Sequence, residues 1–417
     1  MYILSDLSKK EMQESGRLKI EWAKNHMPVL SRIRADFERE KPLAGHRIAM
    51  ALHVEAKTAV LVETLAAGGA KVAVTGCNPL STQDDVAAAL DAAANISCFA
   101  KYDCTNAEYY EAIDKVLEIG PDITIDDGAD LIFKIHKERR DLLPGLLGGC
   151  EETTTGIHRL TGMEKDGALE MAVLAVNDAK TKFLFDNRYG TGQSAWDGIM
   201  RTTNLLVAGK TVVVGGYGWC GRGIAARACG LGAEVVITEI DPVRALEARM
   251  DGYRVMPMEK AAEIGDIFVT TTGNRDILTE KHFKKMKDGV ILANAGHFNV
   301  EIDMGALQKS ASREKTVRKN IKEYTVDGKK INVLADGRLV NLAAGDGHPA
   351  EVMDMSFANQ ALCIKYIAEN KLPYGVHKVP ENIDNAVAML KLKAMGIEID
   401  TLTEKQRNYM DDWEEGT

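Results

Sequence analysis

The chain has 417 residues, enough for two or three domains of ordinary size. Apolar residues make up 45% and charged residues 27% of it, the balance of a globular protein. The formal net charge of -9 argues against a nucleic-acid partner, and no apolar run approaches the roughly 18 residues of a membrane span. There is no signal-peptide pattern, and seven dispersed cysteines lack metal-ligand spacing, so we expect a cytoplasmic protein without a metal.

The first part of the chain alternates helical and strand-like patterns. Residues 8–40 predict one or two helices, with apolar residues at helical spacing: Leu18, Trp22, Met27, Leu30 and Ile33. Strands are predicted at 47–52, 71–74 and 123–125, with helices at 56–65 and 82–93. This alternation indicates a parallel sheet covered on both faces, whose ligands bind beyond the carboxyl ends of the strands. His53 and Asp127 lie at two such ends.

The rest of the chain is less regular. Residues 148–156 are polar and turn-rich, residues 170–186 look helical, and residues 187–194 look like a linker. The charged stretch 308–331 is expected at the surface. From about residue 378, a helical pattern is expected to continue up to the acidic end of the chain.

Residues 209–242 contain the strongest functional signal. An apolar strand pattern leads into three glycines, Gly216, Gly218 and Gly221. A helix, a second strand and Glu239 follow, which is the layout of a dinucleotide site. The Glu239 carboxylate can accept hydrogen bonds from a ribose diol and would repel a 2′-phosphate, so we expect NAD rather than NADP. A strand–helix turn without a ligand is the alternative interpretation.

These patterns together predict an α/β protein with two Rossmann-like, doubly wound parallel-sheet domains. The substrate-binding domain is predicted to be discontinuous, formed by residues 1–186 and 350–377. The NAD-binding domain is predicted over residues 193–346, and residues 378–417 are predicted to form a helical C-terminal extension.

Short stretches distributed over nearly the whole chain are typical of one family. They include LHVEAKTAVLVETL, NPLSTQDDVAAAL, IDDGADL, EETTTGIHRL, VNDAKTKFLFDNRYG, GYGWCGRG, TTTGNRDI, NAGHF and DGRLVNLAAGDGHP. Together they resemble the S-adenosylhomocysteine hydrolase family, and most closely its archaeal methanogen-type branch, which includes S-inosylhomocysteine hydrolases. The resemblance implies a homotetramer that acts on a small nucleoside thioether.

The resemblance also implies an enzyme that uses tightly bound NAD without consuming it. In the family the ribose 3′-hydroxyl is oxidised, homocysteine leaves C5′ by elimination, water adds, and the ketone is reduced again. A thioether on an unactivated carbon resists direct hydrolysis, whereas a neighbouring ketone permits elimination. We therefore expect reversible hydrolysis of S-inosyl-L-homocysteine, or alternatively S-adenosyl-L-homocysteine, in S-adenosylmethionine recycling.

By the resemblance, Lys182 and Asp186 bracket the ribose hydroxyls. They are four residues apart and would share one helix face. Lys182 would aid removal of the 3′-hydroxyl proton, and a cationic nicotinamide nearby would lower its pKa. Asn187 adjoins them and is expected to help position the base and contact the cofactor, while Glu152 matches a ribose-binding glutamate. Without the resemblance, a surface ion pair would be the simpler interpretation of Lys182 and Asp186.

Three further residues match the acid–base groups of the family. Asp127 matches a carboxylate near C4′ and C5′, His53 matches the group near the leaving atom, and His297 is another candidate there. A carboxylate that ends a strand is often only a cap, and a lone histidine often only satisfies a core or turn position. These assignments therefore depend on the resemblance.

The resemblance places a set of polar residues on the cofactor. They are Thr153, Thr154, Thr155, Thr271, Thr272, Asn341 and His348. His348 is also expected at the substrate, on a glycine-flanked loop that suits a gate or hinge. Threonine clusters are more often turn residues, which is the alternative interpretation of the threonines.

Glu55 and Lys57 stand where adenosine-handling members have a small hydroxyl residue and then glutamate or glutamine. Adenine offers an amino donor beside a ring-nitrogen acceptor, and hypoxanthine reverses both. Lys57 can only donate and ionised Glu55 can only accept, so the pair favours hypoxanthine, with Lys57 on the carbonyl and Glu55 on the ring N–H. A swapped arrangement for adenine and a mere surface pair at a helix start stay open.

Some positions depart from the better-known family pattern. Thr191 stands where many members have a cysteine, so no cysteine nucleophile is needed. Arg244 would suit a 2′-phosphate and keeps NADP as a minor alternative. The end of the chain lacks the lysine- and tyrosine-bearing tail that reaches a neighbouring subunit's NAD in many members. The rival interpretations are a D-2-hydroxyacid dehydrogenase and a non-enzymatic, NAD-binding relative.

Overall fold

The computed structural model describes residues 8–413; residues 1–7 and the last part of the acidic tail, 414–417, lie outside the described residues. Within that range the chain forms two α/β halves, each built around one sheet. We call the half that begins the chain the first half and the other the second half.

The elements of the first half follow one another as a repeated alternation of helix and strand. They are α1 (Lys9–Asn25), α2 (Pro28–Glu40), β1 (Arg47–Ala51), α3 (Ala56–Ala67), β2 (Lys71–Thr75), α4 (Asp84–Asp91), β3 (Ile96–Cys98), α5 (Asn106–Leu117), β4 (Ile123–Asp126), α6 (Asp130–Glu138), β5 (Gly148–Glu151), α7 (Thr154–Lys165), β6 (Ala172–Ala175) and α8 (Lys180–Phe183).

The elements of the second half begin after a short π-helical turn at Asp186–Gly190. They are α9 (Thr191–Thr203), β7 (Thr211–Gly215), α10 (Trp219–Gly230), β8 (Glu234–Thr238), α11 (Pro242–Met250), β9 (Arg254–Val255), α12 (Met258–Ala261), β10 (Ile267–Thr270), α13 (Glu280–Phe283), β11 (Val290–Asn294), α14 (Met304–Ser310), β12 (Arg313–Arg318), β13 (Ile321–Val326), β14 (Lys329–Leu334) and α15 (Val340–Ala343). The chain ends with α16 (Ala350–Glu369), β15 (Gly375–Lys378), α17 (Glu381–Ala394) and α18 (Glu404–Asp411).

The first sheet has seven parallel strands in the order β15-β6-β5-β4-β1-β2-β3. Strands β4, β5 and β6 are buried along their whole length, because helices cover both faces of the sheet. The strand that completes one edge, β15, comes from the end of the chain and pairs with β6.

The second sheet has eight strands in the order β12-β13-β14-β11-β10-β7-β8-β9. Its central strands are parallel, and β12 and β13 add an antiparallel edge. Strand β12 is charged and exposed along its length, which protects the edge from pairing with another chain. The two sheets confirm the predicted α/β class with doubly wound, mostly parallel sheets.

Helix α16 lies in the core of the first half, although it follows the second half in sequence. Phe357, Ala361 and Ile364 are buried in the same apolar cluster as Ile48 of β1. Val387 of α17 belongs to this cluster too. The core of the first half is therefore made from both ends of the described chain.

Two segments differ from the sequence-based expectations. Residues 148–156, expected as a polar loop, contain β5 and the start of α7, and residues 170–186, expected as a helix, contain β6 and α8. The glycines of β5 reflect close packing instead of a turn, since a Cβ on Gly149 would collide with the Thr124 side chain. Strand β6 is a short apolar run, which periodicity cannot distinguish from a buried helix.

The predicted linker at 187–194 is also wrong. The π-helical turn runs directly into α9, and a Cβ on Gly192 would collide with the backbone of Gly223. The glycines there permit close helix packing. On α1, Leu18 and Trp22 are 68% and 69% exposed, so the predicted apolar set reaches the core only through its later members.

The charged stretch 308–331 is at the surface along β12, as expected, but it also contains strands that the sequence pattern did not reveal. No helix in residues 8–413 is long and apolar enough to cross a membrane.

Candidate active site

Predicted catalytic side chains meet at the carboxyl edge of the first sheet. His53 follows β1, Asp127 follows β4, Glu152 follows β5, and Lys182 lies on α8 beyond β6. Because these four strands are neighbours in the sheet, their ends place the side chains along one edge. Asp127, Glu152 and Lys182 are buried and His53 is largely buried. The edge is therefore a water-poor site.

The Lys182 ammonium is surrounded by oxygen acceptors. Its Nζ donates to Oδ1 of Asn187 at 3.0 Å and of Asn177 at 3.2 Å. Carboxylate oxygens of Asp186 and Glu152 lie 3.4 and 3.6 Å away. Burial alone would lower the pKa of Lys182, but Asp186 and Glu152 outweigh it and raise the pKa. The surface-pair alternative is therefore wrong. Without a nicotinamide nearby, the protein raises the pKa of Lys182. That a cationic nicotinamide lowers this pKa stays a prediction.

Asp186 connects Lys182 to the loop that follows α15. Its Oδ1 lies 3.2 Å from Nδ1 of His348, and its Oδ2 accepts a hydrogen bond of 2.8 Å from Ser356 on α16. Burial favours the neutral acid, but the Lys182 ammonium and the hydrogen bonds from His348 and Ser356 outweigh it and lower the pKa of Asp186. Asp186 is therefore an ionised, fully engaged carboxylate.

Glu152 is held from the opposite side by α16. Nε2 of Gln360, which is fully buried, donates to Oε2 of Glu152 at 2.6 Å. Burial raises the pKa of Glu152 to about 7, although Lys182 opposes the shift. Its Oε1 has no hydrogen-bond partner among the described residues, so it is available to a ribose hydroxyl. Sequence reasoning missed Gln360 and Ser356, and their polarity inside an apolar helix was the available signal.

Asp127 receives one histidine from each half of the protein. His53 Nε2 lies 3.4 Å from its Oδ2, and His297 Nδ1, from the loop after β11, lies 3.6 Å from its Oδ1. Burial lowers the pKa of His53 to about 4 despite the attraction of Asp127. A Cβ on Gly128 would collide with His297, so the two halves are in close contact here.

Cys77 is a further member of this group that sequence reasoning missed. Its Sγ lies 3.2 Å from Nδ1 of His53 and 3.4 Å from Oδ2 of Asp127. Burial and the nearby carboxylates hold the pKa of the Cys77 thiol well above its usual range. The signal was its position just after β2, the next strand in the sheet. Ser81 fixes the same His53 nitrogen at 2.8 Å.

The three side chains His53, Asp127 and His297 also have a spacing that a metal ion could use. One ligand atom from each lies within 4.8 Å of the other two, and this is the one such group found in residues 8–413. His53 and Asp127 also contact Cys77. That no metal resides in the protein stays a prediction.

The glycine-rich turn after β7 has the shape of a dinucleotide cradle. Gly216 has a left-handed φ of 98°, and a Cβ on Gly221 would collide with the Gly216 carbonyl. Helix α10 begins at Trp219 after Gly218, and no side chain caps its N-terminus. The free N–H groups of its first turn are the donors that a pyrophosphate needs. These features fit bound NAD.

Glu239 lies at the end of β8 beside this turn. Its Oε2 accepts from the backbone N–H of Tyr217 at 2.7 Å, and its Oε1 accepts from Ile240 and Asp241 at 2.7 and 3.1 Å. The carboxylate thus fixes the glycine turn, and its hydrogen bonds to a ribose diol stay a prediction.

The predicted cofactor threonines lie in two segments, the start of α7 in the first half and the loop after β10 in the second. Thr153 caps α7 through its hydroxyl, and Thr154 and Thr155 open the same helix. Thr271 and Thr272 follow β10. The two segments approach each other, since a Cβ on Gly273 would lie 3.9 Å from the Thr155 hydroxyl. Thr153 is therefore a helix cap, and Thr155 lies where the two halves meet.

Buried Glu301 fixes the loop after β10, and sequence reasoning missed this residue. Its carboxylate accepts hydrogen bonds from the N–H groups of Thr272 at 2.9 Å and Gly273 at 2.8 Å. Asn341, another predicted cofactor residue, is buried, and its Oδ1 has no partner among the described residues. Its amide donates to Ser194 at 3.3 Å.

Glu55 and Lys57 form a buried pair at the start of α3. The Glu55 carboxylate caps this helix by accepting from the N–H groups of Lys57 and Thr58, and its Oε2 lies 2.6 Å from Lys57 Nζ. Lys57 Nζ also donates to the carbonyl of Asp346 at 2.7 Å, two residues before His348. The pair at a helix start is confirmed, but it is buried and not on the surface.

Known proteins match the chain over its whole length. The family model for S-adenosyl-L-homocysteine hydrolase matches residues 1–144, and the model for the NAD binding domain of that enzyme matches residues 187–347. A protein of Methanosarcina acetivorans named S-inosyl-L-homocysteine hydrolase is 74% identical over 99% of this chain and 100% of its own length. One of Methanocaldococcus jannaschii with the same name is 62% identical over 100% of both chains. An Archaeoglobus fulgidus protein named adenosylhomocysteinase is 61% identical over 96% of this chain and 100% of its own length.

These matches cover both halves of the protein. The matched NAD-binding model establishes NAD as the cofactor, and the family is one of hydrolases that act on a small molecule, so the protein is an enzyme. A dehydrogenase and a non-enzymatic relative are not favoured. The chain belongs to the S-adenosyl-L-homocysteine hydrolase family.

Proposed function

We propose that the enzyme catalyses the reversible hydrolysis of S-inosyl-L-homocysteine to inosine and L-homocysteine. The observation that carries this proposal is the buried edge at which Lys182, Asp186 and Glu152 lie beside His53 and Asp127. It provides one polar group for ribose hydroxyls and one for acid–base work. The relatives named S-inosyl-L-homocysteine hydrolase support the choice of nucleoside.

The first step in this proposal is oxidation at the ribose 3′ position. When bound at the glycine turn before α10, NAD would accept the hydride from C3′ and supply it again in the last step. Lys182, Asp186 and Glu152 hold the hydroxyls, with the open oxygen of Glu152 as an acceptor. In the protein alone Lys182 is an ammonium; it becomes a base only if a cationic nicotinamide nearby brings its pKa down.

The second step is elimination. The 3′-ketone acidifies the C4′–H bond, and Asp127 accepts that proton while the C5′–S bond breaks and homocysteine leaves as a thiol. His53, which is neutral because burial lowers its pKa to about 4, and His297 are placed to relay the proton that sulfur requires. Water then adds to the C4′=C5′ double bond, with its hydroxyl on C5′ and its proton on C4′, and reduction of the ketone gives the nucleoside.

Base preference depends on Lys57 more than on Glu55. The Glu55 oxygens already accept three hydrogen bonds, from the backbone and hydroxyl of Thr58 and from the backbone of Lys57, and Oε2 forms an ion pair of 2.6 Å with Lys57 Nζ. Lys57 Nζ uses two of its three N–H groups, on Glu55 and on the Asp346 carbonyl. The third N–H group of Lys57 can donate to the hypoxanthine carbonyl, whereas the adenine amino group offers it no acceptor. A site of this kind discriminates strongly between the two bases.

The test is synthesis from homocysteine with inosine or adenosine in parallel. We expect a higher kcat/KM for inosine than for adenosine. Lys57→Gln should bring the two kcat/KM values closer together, because a glutamine amide can both donate and accept a hydrogen bond. Lys41→Gln, at an exposed position after α2, is the matched control and should leave the ratio unchanged. An equal or higher kcat/KM for adenosine would return the assignment to an S-adenosyl-L-homocysteine hydrolase, as the Archaeoglobus relative is named.

We also infer a cytoplasmic homotetramer, with the domain boundaries predicted from the sequence. The free cysteines support the compartment, and the family resemblance supports the assembly. Light scattering on the purified protein tests the assembly: a mass of about one chain would reject it.

A further inference from the structure

An arginine and an aspartate lie immediately beyond the acid–base group and have no role in the steps above. Arg159 is on α7, and Asp130 opens α6, three residues after Asp127. Arg159 Nη1 donates to Asp130 Oδ1 at 2.7 Å and to the carbonyl of Gly128. The pair therefore adjoins the loop that carries Asp127.

Two aromatic rings lie next to this guanidinium. Its centre lies 4.1 Å from the ring centroid of Phe133 on α6 and 5.5 Å from that of Phe298 in the second half. Phe298 follows His297, and their rings meet edge to face at 4.6 Å. A guanidinium packed against aromatic rings is preorganised for a planar partner, so little rotamer freedom is lost on binding.

Arg159 retains donors that it does not use. Within residues 8–413, all its hydrogen bonds come from Nη1, and neither Nε nor Nη2 has an acceptor. Its side chain is 28% exposed and that of Asp130 is 20% exposed, so both line a partly open edge. The unused Nε and Nη2 are the two donors that bind a carboxylate bidentately.

The substrate of the proposed reaction ends in a zwitterion that the enzyme must accommodate. In the proposed substrate the sulfur at C5′ is separated from the amino-acid carbon by two methylene groups. With C5′ beside Asp127 and His53, a substrate tail that passes His297 comes to Arg159, Asp130 and the Phe298 ring. One cation, one anion and an apolar wall match a carboxylate, an ammonium and two methylenes.

We propose that Arg159 binds the α-carboxylate and Asp130 the α-ammonium of the homocysteine part of the substrate. This inference rests on the proposed function and adds to it the subsite that selects the thiol. Tyr109, whose hydroxyl donates to Oδ2 of Asp130 at 3.1 Å, fixes the aspartate in place. Phe298 covers the methylenes when the two halves are in contact.

The experiment compares three thiols in synthesis from inosine. Homocysteine is the reference, 3-mercaptopropylamine is homocysteine without its carboxylate, and 4-mercaptobutanoate is homocysteine without its ammonium. Arg159→Gln should lower kcat/KM for homocysteine and 4-mercaptobutanoate about 10–100-fold, the value of a lost charged hydrogen bond, and spare 3-mercaptopropylamine. Asp130→Asn should spare 4-mercaptobutanoate and affect the other two.

Controls separate binding from a structural role. Arg140→Gln removes an exposed arginine paired with Glu170 and should change none of the three values. Arg159→Lys keeps the positive charge but loses the planar guanidinium, so its kcat/KM for homocysteine should lie between those of Arg159→Gln and the wild type. Inosine alone reduces bound NAD without a thiol. If Arg159 serves only to hold Phe298 in place, Arg159→Gln should lower this reduction as much as it lowers synthesis, and the proposal is overturned.

The same assay distinguishes failure of this inference from failure of the proposed function. If neither inosine nor adenosine reduces the bound NAD and no thiol is condensed, the proposed function fails. If nucleoside reduces NAD and homocysteine is condensed, but the Arg159→Gln losses are equal for all three thiols, only the zwitterion subsite is rejected.

Discussion

At the scale of single residues, the site depends on charges that burial keeps close together. The Lys182 ammonium lies within 3.6 Å of four side-chain oxygens, so its charge is compensated and its orientation is fixed. Removing one member of such a set leaves the others buried and unpaired, which is costly. Point substitutions here should therefore affect chemistry and stability together, and each needs a control.

Lys182→Met tests the redox role directly. We expect the variant to retain NAD, whose cradle lies in the second half, but to lose the near-ultraviolet NADH absorbance that nucleoside induces. A loss of roughly 10²–10⁴-fold in the rate is the usual range for a positioned acid or base. Lys180→Met is the matched control, because Lys180 is on the same helix and its side chain is 74% exposed. Undiminished reduction in Lys182→Met would remove this residue from the redox step.

The buried His53 predicts a pH effect on stability. Its pKa is about 4 in the folded protein and 6.5 ordinarily, so unfolded chains bind the extra proton first as pH falls. The wild type should lose stability from pH 6.5 down to about 4, and His53→Asn should not. Between pH 6.5 and 5 this amounts to about 2 kcal/mol, measurable as a difference in thermal midpoints of the NAD-free proteins.

Glu152→Gln is the comparison of opposite sign. The pKa of Glu152 is raised from 4.5 to about 7, so its contribution to stability is present below pH 4.5 and is lost as pH rises through 7. The stability of Glu152→Gln relative to the wild type should therefore increase as the pH rises through 7. Parallel pH profiles for the wild type and both variants would contradict both predictions.

At the scale of elements, helix α17, near the end of the chain, controls the position of Lys182. Asp384 of α17 accepts hydrogen bonds from the N–H groups of Lys180 at 2.7 Å and Thr181 at 2.9 Å, and so caps α8 from a distant part of the chain. Helix α8 has four residues and no cap of its own. Its orientation therefore depends on tertiary contacts.

Asp384→Ala should weaken both the fold and the redox step. Loss of a helix cap costs about 1–2 kcal/mol, and a Lys182 that is no longer held should reduce NADH formation at constant NAD content. Asp400→Ala, at an exposed position beyond the same helix, is the control. If Asp384→Ala lowers the thermal midpoint while single-turnover NADH formation stays normal, the cap is structural only.

The glycine turn predicts which helix substitution removes the cofactor. A Cβ on Gly221 would collide with the Gly216 carbonyl, whereas one on Gly230, at the other end of α10, meets nothing within 4 Å. Gly221→Ala should therefore purify without NAD, and Gly230→Ala should retain it and be slightly stabilised, since alanine favours a helix by up to about 1 kcal/mol. The NAD content of denatured samples measures both, and an unchanged content in Gly221→Ala would contradict the proposed cradle.

Sequence reasoning predicted the elements whose local pattern and final environment agree. Strand β7 and helix α10 followed from an apolar run, glycines and an acid at fixed spacing. It failed at β5, where glycines serve close packing, and at the π-helical turn before α9, where glycines suggested a linker. Local patterns cannot report that another segment will approach so closely.

The same limit applies to the site. His53, Asp127 and Lys182 were accessible because they end or follow recognisable elements. Gln360 and Ser356 were not accessible, because they lie at least 170 residues after Asp186 in the chain and only the packing of α16 onto the first sheet brings them there. The burial of the Glu55–Lys57 pair was equally invisible from the sequence.

At the scale of the whole molecule, the two halves meet across the site. His297 of the second half lies against Asp127 and Gly128 of the first, so the described arrangement is a closed one. Substrate must enter by separation of these loops, and closure would then exclude water from the keto intermediate. X-ray scattering should show a smaller radius of gyration for the NAD enzyme with inosine than without it, and identical profiles would count against such a motion.

The position of α16 and β15 also affects how the protein is made. The first half cannot complete its core until the last part of the chain has been synthesised, because Phe357, Ile364 and Val387 fill it. At about 5–20 residues per second, roughly 200 residues translated after α8 correspond to about 10–40 s during which the N-terminal segment is incomplete on the ribosome. The later-synthesised second half, whose sheet is continuous in sequence, can therefore fold before the half that emerged first.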